Sequence, residues 1–345
     1  MSSAPHPLPA GRLEEQFADK APLLTHSEAL AESSRCLYCH DAPCMRACPT
    51  HIDVATFIHK IATDNLKGSA RTILAANLLG ASCARACPVE VLCEGACVYT
   101  GWGREPIAIG RLQRHALDHA QSPDLLEKAP PSGFSVGLVG AGPASLACAG
   151  TLALLGHQAI VYEKDQLPGG LNTTGIAPYK LDARAALAEV EFIRALGVEI
   201  RTGVEVGRDV APKELLARHD ALFLGLGLGP DNRLKIPGAD APGVWGAVEW
   251  IARMKLEPRF ALEGVQSAAV IGGGNTALDV VRELAQLGVP RVHLVYRRGE
   301  DDLSAYAHEW RAAKAEGVVL VPDAIAAEVR LAGGRAAALR LVRAE

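Results

Sequence analysis

The apolar residues of this chain follow two periods, and the change from one to the other divides it. Up to residue 128 they recur at helical spacing, predicting short helices over 54–62 and 68–77 and no strand. A polar, proline-bearing link follows, from Gln121-Ser122-Pro123 to Pro130-Pro131-Ser132-Gly133, and beyond it the apolar runs become those of buried strands. Residues 134–139 read as a strand, 144–155 as an Ala/Leu helix ended by Gly156, and 158–162 as a second strand, which makes one βαβ unit. The arrangement recurs downstream, with a strand over 268–271, a helix over 276–287 ended by Gly288, and a strand over 291–296. The pattern predicts a helical domain over 1–128 and two Rossmann-like α/β domains, over 129–236 and 237–345.

Composition supports cores of small aliphatic residues, because 49% of the residues are apolar and only 5% aromatic. Thirty-five basic and 39 acidic residues leave a net charge of −4, which offers no general attraction to nucleic acid or anionic lipid. The N-terminus lacks a basic stretch followed by an apolar one, and no segment reads as a membrane span. The expectation is a cytoplasmic protein.

Cysteine changes the picture. Eight of the nine cysteines lie between Cys36 and Cys97, a density that suits metal ligation in a reducing compartment. They form two groups, Cys36-x2-Cys39-x4-Cys44-x3-Cys48-Pro49 and Cys83-x3-Cys87-Pro88 with Cys93-x3-Cys97. Eight thiols suffice for two 4Fe–4S clusters, and a Cys-Pro closing a run often serves the other cluster. Structural zinc and disulfides are the alternatives; only Cys36 and Cys39 show the x2 spacing usual for zinc pairs. Cys148 stands alone in an Ala-rich helix and reads as a small buried hydrophobe.

Two glycine loops add nucleotide chemistry. Gly140-Ala141-Gly142-Pro143-Ala144-Ser145 joins strand to helix, so its amides and the helix N-terminus suit a pyrophosphate. Glu163, 23 residues on at the end of the second strand, suits ribose hydroxyls. Gly272-Gly273-Gly274-Asn275-Thr276-Ala277 repeats the arrangement, but its second strand ends in Arg297-Arg298, which favours the 2′-phosphate of NADP(H) without excluding NAD(H). Gly169-Gly170-Leu171 is a further turn where backbone can approach a flavin.

Together these residues resemble the FAD- and iron–sulfur-containing subunit of bacterial dihydropyrimidine dehydrogenase. The resemblance is carried by 36–44 with its His-Asp-Ala-Pro-Cys, Ala47-Cys48-Pro49, 83–88, Leu92-Cys93-Glu94-Gly95-Ala96-Cys97 and 106–113. The small subunit of glutamate synthase shares the general plan. The resemblance implies one cluster on Cys36, Cys39, Cys44 and Cys97, and another on Cys48, Cys87, Cys93 and Gln113, with Cys83 spare. Spacing alone favours Cys83 over a glutamine. The resemblance also implies FAD at Gly140 to Ser145, Glu163 and Gly169-Gly170-Leu171, and the nicotinamide nucleotide at Gly273 to Thr276 with Arg297 and Arg298. Related proteins continue beyond the position of Glu345, so the FAD domain is expected to be incomplete at its C-terminal end.

The expected activity is oxidation of NAD(P)H through FAD, with electrons passed singly through two clusters to a partner. The resemblance implies an FMN-containing partner subunit that reduces the 5,6-double bond of uracil or thymine. Rival readings are a glutamate synthase small subunit or related electron-input module, and a cluster- or partner-binding fragment without flavin. No catalytic side chain is named, since the carriers themselves perform the chemistry.

Overall fold

Asp53 starts the helix α3 (Val54–Ala62) by accepting the Thr56 amide at 3.0 Å, and Asn65 starts α4 (Leu66–Ala76) through the Gly68 amide at 2.9 Å. Thr25 and Glu28 form a reciprocal capping box at α1 (His26–Ser34). In α3 the buried residues Val54, Phe57, Ile58 and Ile61 recur at one helical face, as the sequence pattern predicts. They pack with α4 and α7 (Ile109–Ala120), while α2 (Pro43–Arg46), α5 (Gly80–Ala86) and α6 (Val98–Gly101) are short pieces that carry or adjoin cysteines. The computed structural model describes residues 8–344. Among them, no helix is long and apolar enough to cross a membrane.

The first sheet comprises β1 (Ser135–Val139), β2 (Gln158–Glu163), β3 (Glu199–Thr202) and β4 (Ala221–Leu224), all parallel in the order β3-β2-β1-β4. Strand order reverses at β1, whose Gly137 pairs with Ile160 on one side and Leu222 on the other. The crevice beyond its C-terminal end is where such sheets take ligands. Its helices are α8 (Pro143–Leu154), α9 (Leu171–Thr174), α10 (Ala183–Ala195) and α11 (Pro212–Arg218).

The chain gathers into two units. Unit 1 holds 19–173 and 180–227, so the helical segment and the first sheet lie together and share one core that includes Ile73, Leu78, Leu138, Leu146 and Ile193. A carboxylate crosses that core. Glu189 of α10, only 3% exposed, accepts the Ala81 and Ser82 amides at 2.8 and 3.1 Å and the Ser82 hydroxyl, and thereby caps α5. Burial raises its pKa, opposed by those hydrogen bonds.

Unit 2 holds 8–18, 174–179 and 228–344. Its parallel sheet runs β5 (Ala268–Ile271), β6 (Val292–Val295), β7 (Val319–Val321), with α12 (Ala247–Leu256), α13 (Asn275–Gln286) and α14 (Ala307–Ala315). An antiparallel pair, β8 (Ala324–Ala332) and β9 (Arg335–Arg343), follows. Lys255, 0% exposed, binds the three segments: its Nζ donates to Ile176 O at 2.9 Å and lies 3.8 Å from Glu14, while its carbonyl accepts from Arg12 at 2.8 Å. An ammonium buried without those partners would be strongly destabilising.

Glu189→Ala leaves the Ala81 and Ser82 amides without an acceptor in a closed core. We expect a loss of about 3 kcal/mol from unit 1. Denaturant unfolding and hydrogen exchange at those two amides check it; unchanged protection at both would contradict the capping role.

Candidate functional site

The cysteines sort into two cavities, and the sorting crosses the sequence groups. Cys36, Cys39, Cys44 and Cys97 line one cavity of about 400 Å³, counted out to solvent, with Ile58, Tyr99 and Ile107 among its walls. Cys48, Cys83, Cys87 and Cys93 line another of about 380 Å³, together with Gln113. Cys48 of the first sequence group thus faces the thiols of the second, and Cys97 of the second faces those of the first. The four thiols that the resemblance implies for one cluster are brought together, as are the three thiols and the amide of the other. Cys83, counted spare on that basis, lines the second cavity as well. Val54 and Ile109 line both cavities, so a shared apolar wall stands between them.

Local structure aims these side chains. Cys44 sits inside α2, Cys97 caps the start of α6, and Cys87 ends α5, its amide bonded to Cys83 O at 3.0 Å. Gln113 projects from the buried face of α7 and donates its amide nitrogen to Gly80 O at 2.8 Å. Glu94 accepts the Gly110 amide at 3.0 Å, which fixes the first turn of α7 to the loop between Cys93 and Cys97.

All nine cysteines are free thiols. Burial pushes Cys36 up, Cys44 up to about 11 and Cys93 up to about 12. The interaction of the neighbouring Cys83 and Cys87 thiols lowers the first and raises the second. A metal entering these cavities displaces protons from buried thiols, and the thiolate charge is then balanced by metal instead of water. Among the described residues, no three His, Cys, Asp or Glu side chains converge on a single-ion site. Tetrahedral zinc draws its sulfurs to about 2.3 Å around one point. Cys36, Cys39, Cys44 and Cys97 on the wall of one cavity with apolar neighbours supply the donor set of a 4Fe–4S cluster.

The first glycine loop leaves β1 at the crevice. Gly140 has φ +89°, and a Cβ there would lie 2.5 Å from Gly225 O, so the position takes only glycine. Gly142 caps α8 with Pro143 at its first turn, and a Cβ on Gly142 would meet nothing within 4 Å. The structure gives Glu163 a part that spacing does not reveal: its carboxylate accepts the Ala141 amide at 2.6 Å and the Asp165 amide at 2.9 Å. It therefore holds the loop to β2, with acceptor capacity remaining for ribose hydroxyls. Gly169 donates to Ala141 O at 2.9 Å, and Gly170 lies against Gly142, so the Gly169-Gly170-Leu171 turn closes on the same loop. Ala144 lies in the first turn of α8, where Ser145 is fully buried with its hydroxyl unpartnered. The far wall of the loop, Gly225, has a signal in the sequence: alternating Gly225, Gly227 and Gly229 after the apolar run of β4.

The second loop follows β5. Gly273 packs so closely on Tyr296 that a Cβ would lie 2.4 Å from its ring. Gly272 donates to Val295 O at 3.0 Å, Gly273 O accepts from Ala305 N and Ser304 Oγ, and Asn275 accepts the Tyr306 amide at 3.0 Å. Gly274 caps α13, and Thr276 is exposed at its first turn. Arg297 and Arg298 are exposed just beyond β6, with the Arg298 guanidinium 5.4 Å from the Tyr296 ring centre. Neither has an ion pair among the described residues.

Two substitutions separate scaffold from ligand effects at the first loop. Gly140→Ala collides with the main chain and is expected to cost about 2 kcal/mol, lowering the thermal midpoint of the protein. Gly142→Ala meets no protein atom and is expected to leave the midpoint intact while weakening added flavin, read by fluorescence titration. Equal effects of both changes on stability would contradict the assignment.

Residues 13–125 match dihydropyrimidine dehydrogenase domain II, 4Fe–4S cluster, and residues 134–337 match the pyridine nucleotide-disulphide oxidoreductase family. The NAD-dependent dihydropyrimidine dehydrogenase subunit PreT of Escherichia coli is 36% identical over 311 residues, covering 89% of this chain and 74% of its own. The NADPH glutamate synthase small chain of Halomonas elongata is 32% identical over 355 residues, covering 98% of this chain and 74% of its own. The structure of Mycobacterium tuberculosis FprA in complex with NADPH aligns with a TM-score of 0.50 and 23% identity, over 62% of this chain and 64% of that one, a likeness of fold. A helical 4Fe–4S domain therefore precedes the α/β part, and the chain belongs to the pyridine nucleotide-disulphide oxidoreductase family as an NAD(P)H-dependent flavin and iron–sulfur oxidoreductase.

Proposed function

We propose that this chain is an electron-input subunit. It would take hydride from NAD(P)H and release single electrons through two 4Fe–4S clusters to an FMN-containing partner that reduces uracil or thymine. The observation that carries this reading is the pair of thiol-lined cavities with a common wall of Val54 and Ile109, in the same unit as the Gly140 loop. Cys36, Cys39, Cys44 and Cys97 hold one cluster; Cys48, Cys87, Cys93 and Gln113 hold the other. Gly140 to Ser145, Glu163 and Gly169 to Leu171 hold FAD. Gly272 to Thr276, with Arg297 and Arg298, hold the nicotinamide nucleotide. The functional divisions are 1–128, 129–236 and 237–345, and the cytoplasm keeps such thiols reduced.

When bound, FAD accepts a hydride and releases electrons one at a time, and the clusters carry one electron each. The protein's own contribution is placement. The Gly140 loop offers main-chain amides and the α8 N-terminus to a pyrophosphate, and Glu163 locks that loop before a ligand arrives. The apolar wall residues limit water at the thiol sites, and Glu189 ties the helix bearing Cys83 to the flavin side of unit 1. No side chain needs to move a proton for this chemistry.

The partner is inferred from the relatives, one of which is named as a subunit of a dihydropyrimidine dehydrogenase. The glutamate synthase likeness, spanning 98% of the chain, favours a second reading with a different acceptor. Mixing flavin- and cluster-loaded protein anaerobically with NADH or NADPH tests the shared core. The expected result is flavin bleaching followed by a reduced-cluster paramagnetic signal; bleaching without that signal would contradict electron output through the clusters. Uracil-dependent reoxidation on adding an FMN-barrel partner supports the first acceptor, and glutamine-dependent reoxidation with an amidotransferase partner supports the second.

The paired Ala variant of Arg297 and Arg298 is expected to raise the KM for NADPH about 10-fold while leaving that for NADH nearly unchanged, as loss of an exposed phosphate contact would. Equal shifts for both nucleotides would contradict a 2′-phosphate role.

A further inference from the structure

The second cavity holds more donors than a cluster has corners. Cys48, Cys83, Cys87, Cys93 and Gln113 all line it, five side chains around a space suited to a four-cornered group. One of the five is surplus at any moment. Cys83 enters from α5 and Gln113 from α7, and both line this one cavity. Cys83 and Cys87 stand four residues apart along α5 and its end, so they share a helix face and look into the same cavity. Gln113 comes from α7, with its amide nitrogen committed to Gly80 O at 2.8 Å, which leaves the amide oxygen as the end available to a metal.

Cys83 is also among the firmly held of these donors. Its amide bonds Leu79 O at 3.0 Å, its carbonyl accepts the Cys87 amide at 3.0 Å, and Glu189 caps the first turn of the same helix. A thiol in such a position is held on the wall of the cavity that Gln113 also lines.

We propose that Cys83 is an exchangeable ligand of the second cluster, taking the iron at the Gln113 corner whenever the amide oxygen lets go. This rests on the reading that the second cavity holds a 4Fe–4S cluster. In the exchange the iron–oxygen bond to Gln113 breaks and an iron–sulfur bond to Cys83 forms. The thiol proton goes to solvent, no electron is transferred, and the net charge of the site falls by one. Replacing a neutral amide by a thiolate makes the cluster harder to reduce when burial and hydrogen bonding stay equal. The corner thus has two settings within one protein.

Four anaerobically purified full-length proteins test this: wild type, Cys83→Ala, Gln113→Leu, and the double variant. Iron and acid-labile sulfide are counted per chain, and paramagnetic spectra are taken oxidised and reduced. Each single variant is expected to keep the wild-type iron content, with Gln113→Leu changing the reduced spectrum of the second cluster. The double variant is expected to lose about one iron per chain and to show an oxidised three-iron signal. The first cluster's unaltered spectrum reports that the domain has folded, and Gln113→Asn, which keeps an amide but shortens its reach, replaces the Leu variant if that signal is lost. Equal iron loss in Gln113→Leu and in the double variant would overturn the proposal, as would iron loss in Cys83→Ala alone. Absence of iron from all four proteins would instead remove the cluster reading itself, and this inference with it.

Discussion

A buried carboxylate fixes the geometry of unit 1. Glu189 reaches from α10, on the first-sheet side, to the Ala81 and Ser82 amides in the first turn of α5, on the cysteine side, and both ends are buried. Helix α5 has only seven residues, too few to stand on propensity, so its position depends on this cap and on the side chains around it. Cys83 and Cys87 take their places from α5, and Gln113 takes part of its own from the carbonyl of Gly80 at the start of α5. A buried ionisable group that accepts three hydrogen bonds thus links the placement of the second cavity to the layer that carries the Gly140 loop. Its raised pKa is the cost of that burial, offset by the hydrogen bonds it accepts.

Electron transfer asks for fixed placement more than for reactive side chains, and the architecture is consistent with that demand. The two cavities share Val54 and Ile109, so the thiol sets are separated by a thin apolar partition that itself belongs to the helical core. Apolar walls limit water and ion entry and keep the dielectric low, which makes each added charge at these sites count for more. The glycine loops are likewise braced before any ligand is present, by Glu163 in one and by Ser304 to Tyr306 in the other. Preorganisation of this kind reduces the ordering that binding must supply.

Local features of the fold were legible in the sequence. The helix over 54–62 has the bounds expected from its apolar spacing, and both βαβ units lie where strand runs and terminal glycines place them, within a residue or so at each end. The helix expected over 68–77 instead runs Leu66–Ala76, because Asn65 caps it earlier than hydrophobicity alone suggests. The two cysteine pockets were only half legible: a proline after Cys48 and Cys87 hints at crossed ligation, but which thiols meet depends on how α3 and α7 pack. What escaped pattern reading is long-range and polar. Glu189 looks like any acidic residue on a helix, and Lys255 like any basic one, until tertiary structure buries them. The β8–β9 ladder has no clear alternation to announce it, since its alanines fit either face.

The most direct test of the account is the count of iron and acid-labile sulfide in the full chain purified without oxygen, with zinc measured on the same sample. Two clusters predict about eight irons and about eight sulfides per chain, with zinc absent. Zinc near one or two per chain without sulfide would contradict the account, because it would mean that the thiols close on single ions and that no electron can leave by this route.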